Sequence, residues 1–199
     1  RIGLFGGTFD PIHLGHLRAA LEAGIAFQLD PVLVIPSAQP PHKDTEKITS
    51  AEDRLEMARL ATAAAPRLEV SDMEYGRKGP SYTVETIERL QQKWGTEAEL
   101  NLIIGLDAFR KYDTWYRFHD LFRITSIIVL IRPEMEALTP SQAGTMLESH
   151  LGRTVSNQYR FDPSTKCIMH PQLKTVHILT VTRLDISSSR IRQLAAQKK

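Results

Sequence analysis

Short apolar runs of Ile, Leu and Val recur along the chain, and most of them do not alternate with polar residues. They fall at residues 2–5, 32–35, 68–70, 100–104, 126–131 and 176–181. Consecutive apolar positions are typical of a strand that is buried on both faces, as in a parallel sheet covered by helices. The pattern therefore predicts the strands of a mostly parallel sheet.

Helical spacing fills the intervals between these runs. Leu14, Leu17, Leu21 and Ile25 are three or four residues apart, which places them on one face of a helix. Start and stop signals indicate further helices from Ser50 to about Ala65, through residues 84–94, from Thr139 to Gly152 and over residues 188–197.

The alternation of strand and helix predicts an α/β fold, with a doubly wound, mostly parallel sheet and helices on both faces. No repeat, low-complexity tract or linker divides the 199 residues, so we expect one domain over 1–199. Residues 36–48 and 152–174 are the least regular stretches and are expected to be loop insertions.

Charge and cysteine content exclude several classes of protein. The 25 Lys and Arg nearly balance the 23 Asp and Glu, so the net charge gives no strong argument for nucleic acid or an anionic membrane as a partner. The lone Cys167 cannot form an intramolecular disulfide, which fits a reducing compartment. No apolar run approaches the ~20 residues of a membrane span, and residues 1–20 lack a secretory pattern. We therefore expect a cytoplasmic location.

Residue types that often form ligand sites cluster directly after the first apolar run, in GGTFDPIHLGH at residues 6–16. Gly6 and Gly7 allow a sharp turn and a close backbone approach at the carboxyl edge of the sheet. Ligands of open α/β sheets bind at that edge, where the amides and dipole of the following helix attract phosphates. Thr8 adds a hydroxyl. The stretch predicts a nucleotide-phosphate site.

His13 and His16 are three residues apart and share one face of the predicted helix, with Gly15 leaving room for a flat base or ribose. Two imidazoles facing a phosphate can donate hydrogen bonds to oxygens that gain charge when a phosphoanhydride breaks. A metal site is disfavoured because no third ligand has suitable spacing. A nicotinamide-cofactor dehydrogenase is disfavoured because the chain lacks Gly-x-Gly-x-x-Gly. Structural histidines are the alternative.

Four further stretches carry candidate ligands. ISSSRIR at 186–192 offers hydroxyls and amides at a helix start, and the planar guanidinium of Arg192 suits phosphate, although a serine cap with a solvated arginine is the alternative. The others are PPHK at 40–43, GPSYTVET at 79–86 and GLDAFRKYDTWY at 105–116. A helix start at Ser81, Tyr82 and Thr83 can receive a carboxylate, with ordinary capping as the alternative. Trp115 and Tyr116 offer aromatic faces, with burial of Trp115 as the alternative.

These motifs resemble those of a known superfamily. His13-Leu14-Gly15-His16 resembles the H-x-G-H signature of the nucleotidylyltransferases, and ISSSRIR resembles their I-S-S-T-x-I-R signature, with Ser189 where threonine is usual. With the three middle stretches in the expected order, the chain is similar to the nicotinate mononucleotide adenylyltransferases. The resemblance implies a Rossmann-like nucleotidylyltransferase fold, with the C-terminal motif at 186–192.

The resemblance also implies roles for individual residues. His13 and His16 would meet the triphosphate and the charge that develops at the α-phosphate, while Lys43 and Arg192 would hold the leaving pyrophosphate. The implied ATP site comprises Gly6, Gly7, Thr8, Phe9, His13, Gly15, His16, Gly105, Asp107, Arg132, Ile186, Ser187, Ser188, Ser189 and Arg192. The implied acceptor site comprises Lys43, Ser81, Tyr82, Thr83, Asp107, Trp115 and Tyr116.

The implied reaction is adenylyl transfer from ATP to nicotinate mononucleotide, which gives deamido-NAD and pyrophosphate in NAD biosynthesis. The acceptor phosphate is largely dianionic near neutral pH, because its second pKa is about 6, so no protein base is required. Mg²⁺ is expected to enter with ATP, without a metal site on the protein. The alternatives are nicotinamide mononucleotide or another phosphorylated acceptor, a cytidylyl-transferring relative, and a silent nucleotide-binding regulatory module. Nucleic-acid binding is disfavoured, and a homo-oligomer is left open.

Overall fold

One hydrogen-bonded sheet runs through the computed structural model, which describes residues 1–41, 48–77, 79–95, 97–132 and 138–197. The strands are β1 (Ile2–Gly7), β2 (Val32–Pro36), β3 (Leu68–Val70), β4 (Leu100–Gly105), β5 (Ser126–Ile131), β6 (Arg160–Asp162), β7 (Cys167–Met169) and β8 (Val176–Thr180). Their order is β3-β2-β1-β4-β5-β8-β7-β6. The six strands from β3 to β8 in that order pair in parallel, and β7 and β6 continue the sheet antiparallel. The mostly parallel sheet is confirmed.

Seven helices lie in the described residues, and five of them are where the sequence predicted a helix. They are α1 (Leu14–Ala26), α2 (Ala51–Thr62), α3 (Thr83–Trp94), α4 (Leu106–Phe109), α5 (Phe118–Ile124), α6 (Pro140–Thr154) and α7 (Ser188–Gln197). Local signals set their ends, because Ser50 Oγ accepts from the Asp53 amide at 3.1 Å and Gly95 ends α3 with a φ of 78°.

Alternate residues of each strand face opposite layers of helices, as the pleat of a strand requires. Leu33 and Ile35 of β2 belong to a core that includes α3, α5 and α6. Val32 and Val34 belong to a second core, with the small residues of α1 and α2. Helices therefore cover both faces, and the doubly wound α/β fold is confirmed.

The strand order reverses at β1. Going along the chain, β2 and β3 are added on one side of β1, whereas β4 and β5 are added on the other. Connections that leave in opposite directions open a crevice at the carboxyl ends of the two central strands. The ends of β1 and β4, Gly7 and Gly105, lie at this edge.

Two stretches differ from the prediction. Residues 152–174 are not a loop insertion, since α6 continues to Thr154 and β6 and β7 form a hairpin that pairs with β8. The sequences of β6 (RFD) and β7 (CIM) contain only one Ile, Leu or Val between them, so no apolar run marked them, and Ile168 is fully buried where the hairpin joins the sheet. Residues 106–124, which the pattern left unassigned, form α4, a 3-10 turn at Tyr112–Thr114 and α5.

Candidate active site

A cavity of about 760 Å³ opens where the strand order reverses. Its walls come from the ends of β1, β2 and β4, from the start of α3 and from the segment that follows α4. This size is ordinary for a ligand site, and its position is the one expected for an open α/β sheet. The first glycine turn, the SYT stretch and the DTWY stretch, far apart in sequence, meet here.

The two glycines that end β1 have different surroundings. Gly6 lines the cavity, and a Cβ there would project into open space, which is space that a ligand can use. A Cβ on Gly7 would lie 2.8 Å from the ring of Phe9, which is buried and has a φ of 48°. The turn is thus built around the Phe9 ring, which packs directly against the cavity lining.

Asp107 provides a carboxylate at the end of β4. It is exposed, lies in the first turn of α4 and lines the cavity with Gly105. A Cβ on residue 105 would lie 2.6 Å from Asp107 Oδ1, so the carboxylate in this position packs directly against the glycine. An ionised carboxylate only accepts hydrogen bonds, which suits it to the hydroxyls of a ribose.

His13 and His16 form a stacked pair at the first turn of α1. Their ring centroids are 3.7 Å apart, and the Phe9 ring packs edge-on against His16. The His13 amide donates to His16 Nδ1 at 3.3 Å, which leaves the proton of a neutral His16 ring on Nε2. A Cβ on Gly15 would lie 3.1 Å from His13 Nδ1, so the His13 ring occupies the room that was expected for a base or ribose.

Burial keeps both rings uncharged. Burial, and then the charges of His13 and Arg132, lower the pKa of His16 to about 3. Burial and Arg132 also lower the pKa of His13. Each ring therefore offers one N–H donor at neutral pH, and the negative charge of a bound polyphosphate would favour the protonated form. Neither ring lines the cavity, but both lie at the helix terminus next to it.

The C-terminal motif docks on the entry to α1. Ser188 Oγ donates to the Pro11 carbonyl at 2.9 Å, and the Arg192 guanidinium donates to the Asp10 carbonyl. Arg192 Nη1 also lies 3.6 Å from the carboxylate of Asp10, which is 4% exposed and accepts no hydrogen bond within the described ranges. The two signature stretches thus meet at the amino end of α1.

The other end of the cavity is aromatic. Tyr82 and Tyr116 pack ring against ring with centroids 4.5 Å apart, and Trp115 both packs against the core and lines the cavity. Tyr82, rather than Ser81 or Thr83, is the N-cap of α3, because Ser81 Oγ accepts from the Gln39 amide instead. Free amides and the helix dipole at this terminus favour an anion beside an aromatic surface.

Known proteins share this sequence and fold. The cytidylyltransferase-like family model matches residues 4–194. A probable nicotinate-nucleotide adenylyltransferase of Pseudomonas fluorescens is 41% identical over all of this chain and 87% of the relative. One from Desulfatibacillum aliphaticivorans is also 41% identical, over all of this chain and 90% of the relative. This chain belongs to the nicotinate-nucleotide adenylyltransferase family.

Solved structures agree with the fold of this adenylyltransferase family member. The nicotinic acid mononucleotide adenylyltransferase of Plasmodium falciparum complexed with NaAD matches with a TM-score of 0.68. The match covers 96% of this chain and 82% of that chain, at 15% identity. The same protein complexed with APC matches with a TM-score of 0.65 at 14% identity. At these low sequence identities, the structural matches show a shared fold.

The predicted site residues of this adenylyltransferase fall into three groups. Those that line the cavity are Gly6, Gly7, Thr8, Ser81, Tyr82, Thr83, Gly105, Asp107, Trp115 and Tyr116. Those around the amino ends of α1 and α7, outside the cavity lining, are Phe9, His13, Gly15, His16, Ile186, Ser187, Ser188, Ser189 and Arg192. Arg132 is exposed directly after β5 and acts electrostatically on both histidines, whereas Lys43 lies outside the described residues.

Two buried charged residues beside the site escaped the sequence analysis. Glu74 is 7% exposed and lines the cavity, with Oε1 accepting from Thr86 Oγ1 at 2.8 Å and Oε2 accepting from no described group. Arg54 is 1% exposed and lies on α2. Their neighbours in sequence are polar or mixed, so no pattern marked either residue.

The described part of the chain contains no group of three or more His, Cys, Asp or Glu side chains arranged to hold a metal ion. Within the same ranges, no helix has both the length and the apolar character needed to cross a membrane.

Proposed function

We propose that this protein transfers the adenylyl group of ATP to nicotinate mononucleotide and releases pyrophosphate. An oxygen of the acceptor 5′-phosphate attacks the α-phosphorus of ATP, and a new phosphoanhydride bond forms. The bond from the α-phosphorus to the β-phosphate bridging oxygen breaks, and pyrophosphate leaves with that electron pair. The product is deamido-NAD.

One observation carries the proposal. A single cavity joins a glycine turn beside a helix terminus to an aromatic end beside a second helix terminus. A mononucleotide with a pyridine carboxylate needs this combination, because its phosphate and its ring carboxylate are both anions and its ring is flat.

The protein contributes position and electrostatics to this reaction. The acceptor phosphate already carries the attacking charge near neutral pH, since its second pKa is about 6. The N–H groups of His13 and His16 would donate to triphosphate oxygens as charge moves onto the leaving group. Arg192 would turn from the Asp10 carbonyl toward phosphate, and Lys43 is assigned to the leaving pyrophosphate by the resemblance alone.

The metal is proposed to arrive as part of the substrate. Beside nucleotides, Mg²⁺ is commonly bound mainly by phosphate oxygens, so the ion would enter with ATP. When bound, such an ion neutralises charge on the triphosphate.

Glu74 favours a second acceptor. Its carboxylate lies on the cavity wall with one oxygen free of hydrogen bonds from described groups, and that oxygen can accept an N–H. A nicotinamide amide offers such a donor, whereas a nicotinate carboxylate would be repelled. The amino end of α3 favours nicotinate, so Glu74 and this helix end favour different acceptors.

A panel of phosphorylated acceptors decides between these candidates. Purified protein is assayed with ATP or CTP and nicotinate mononucleotide, nicotinamide mononucleotide or phosphopantetheine, and pyrophosphate release is measured. We expect ATP with nicotinate mononucleotide to have the highest kcat/KM, because a matched charged site discriminates strongly against a neutral analogue. Equal rates with the two pyridine nucleotides would contradict the narrower proposal.

The same assay tests the remaining alternative. A regulatory module would bind ATP and release no pyrophosphate with any acceptor. A cytoplasmic location stays a prediction from the sequence.

A further inference from the structure

Arg54 is a buried cation on the second helix of the fold. It lies four residues before Ala58, so it shares the buried face of α2, and only 1% of its surface is exposed. Arginine is rarely buried this completely unless its charge and its donors are matched. Its position therefore calls for a specific set of acceptors.

Four main-chain carbonyls supply those acceptors. The guanidinium donates to Thr8 at 2.8 Å, to Ser37 at 2.6 Å and to Ala38 at 3.2 Å. Its Nε donates to the Thr49 carbonyl at 3.0 Å. Thr8 belongs to the glycine turn after β1, whereas the other three lie between β2 and α2, so one side chain ties together two loops of the site.

The bond to Thr8 orients the phosphate end of the cavity. A peptide unit is planar, so fixing the Thr8 carbonyl also fixes the N–H of Phe9. Thr8 lines the cavity, and the ring of Phe9 packs against both Gly7 and His16. Arg54 thus helps to set the turn on which the histidine pair rests.

The bonds to Ser37 and Ala38 orient the acceptor end. Directly after them, the Gln39 amide donates to Ser81 Oγ at 3.1 Å, and its carbonyl accepts from the Ser81 amide at 2.9 Å. Ser81 precedes the N-cap of α3 and lines the cavity. Hydrogen bonds, together with the peptide bond between Ala38 and Gln39, therefore connect Thr8 through Arg54 to Ser81, the residue before Tyr82.

The charge of Arg54 also favours a phosphate group in the cavity. The carbonyls that it binds are neutral, so its positive charge is not cancelled by them. A buried charge acts strongly on nearby groups because little water screens it. Since Thr8 lines the cavity, this charge lies within hydrogen-bond distance of the cavity wall and attracts a polyphosphate.

We propose that Arg54 is a positioning residue for adenylyl transfer. It holds the glycine turn at Thr8 and the segment 37–39 at the separation that in-line attack requires. The proposal rests on the function proposed above. Small displacements of reacting groups are costly, since a shift of about 1 Å can reduce rates about 10²-fold.

The test compares Arg54→Lys and Arg54→Met with the control Leu55→Ala. Lysine keeps the charge with fewer donors in another geometry, and methionine removes the charge and the donors. Leu55 is buried on the same helix but does not line the cavity, so its truncation reports a loss of packing alone. Melting temperature, kcat per folded enzyme and KM for each substrate are measured.

We expect Arg54→Lys to fold, to raise KM for both substrates and to lower kcat/KM by about 10- to 100-fold, the range that misplacement produces. Arg54→Met should lower kcat/KM further, and ATP should raise the melting temperature of this variant less than it raises that of wild type. Leu55→Ala should melt earlier with both KM values unchanged. Unchanged kcat and KM in folded Arg54→Lys would overturn the proposal, even if Arg54→Met failed to fold.

Calorimetric titration of ATP without acceptor separates this proposal from the proposed function. If wild type binds ATP but adenylylates no acceptor, the function fails while the positioning role is still tested by affinity. In that case a weaker ATP affinity of Arg54→Lys, with normal affinity in Leu55→Ala, supports the role of Arg54. Equal affinities of wild type and Arg54→Lys would contradict it.

Discussion

At the scale of single residues, burial decides what the chemical groups of the site can do. His13 and His16 are ordinary imidazoles in sequence, yet in the fold they stack on each other beside Phe9. Burial and the nearby Arg132 favour their neutral forms, which makes them uncharged N–H donors until an anion arrives. Their chemistry therefore depends on their surroundings as much as on their identity.

We predict that His16→Ala folds and loses about 10² to 10³ in kcat, the usual effect of removing one donor that stabilises developing charge. Pyrophosphate release measures this loss. The matched control is His119→Ala, since His119 is exposed on α5. Turnover of His16→Ala close to that of wild type would show that this ring is structural.

Stability should also depend on pH through His16. Its folded pKa is about 3 and the ordinary value is 6.5, so between these values the unfolded chain binds the proton and the folded chain does not. Its stabilising effect is therefore complete above about pH 6.5 and is lost as the pH falls toward 3.

We predict that His16→Asn, which removes this titration, loses less free energy of unfolding than wild type over that window. Urea unfolding at a series of pH values measures the difference. Parallel curves for the two proteins would contradict the pKa shift.

At the scale of elements, local chemistry sets some helix ends without any contribution from the site. At the start of α6, Thr139 Oγ1 accepts from the Gln142 amide at 3.2 Å, and Gln142 Oε1 accepts from the Thr139 amide at 2.9 Å. Pro140 occupies the first turn, where its missing N–H has no cost. Such a helix start can be predicted from three or four neighbouring residues.

We predict that Thr139→Ala lowers the free energy of unfolding by about 1 kcal/mol, the usual cost of losing an N-cap. Both KM values should be unchanged, because α6 contributes nothing to the cavity wall. Thr145→Ala, in the exposed middle of the same helix, is the control and should have little effect. Equal stabilities of the two variants would argue against the cap.

At the scale of the whole molecule, the candidate site and one part of the core that stabilises the fold lie at different places along the sheet. The site lies between β1 and β4, whereas the β6–β7 hairpin lies at the edge beyond β8. Ile168 of β7 is fully buried in the core shared with α6. The hairpin can therefore support the fold without contacting substrate.

Truncation of this side chain tests that separation. We predict that Ile168→Ala lowers the free energy of unfolding by about 2–5 kcal/mol, as is usual for a buried isoleucine, and leaves kcat and KM of the folded enzyme unchanged. Chemical unfolding and steady-state assays measure the two quantities. Met169→Ala, at the exposed neighbour, is the control. A change in KM would show that the hairpin is coupled to the site.

The sequence by itself determined those features that depend on residues close together in the chain. Apolar runs located most of the strands, caps located most helix ends, and the glycine turn with two histidines marked one end of the candidate site, because spacing along one element sets which side chains share a face. It did not find β6 and β7, since Ile168 is the one Ile, Leu or Val in these two strands and forms no apolar run.

Only the tertiary structure decided which of these pieces meet. It brought the SYT and DTWY stretches to one cavity, docked Arg192 on Asp10, and filled the space at Gly15 with the His13 ring. It also placed Arg54, which no pattern in the sequence marked, among four carbonyls from two loops. The physical reason is that burial and charge depend on neighbours that lie far away in sequence, and chain folding alone brings those neighbours together.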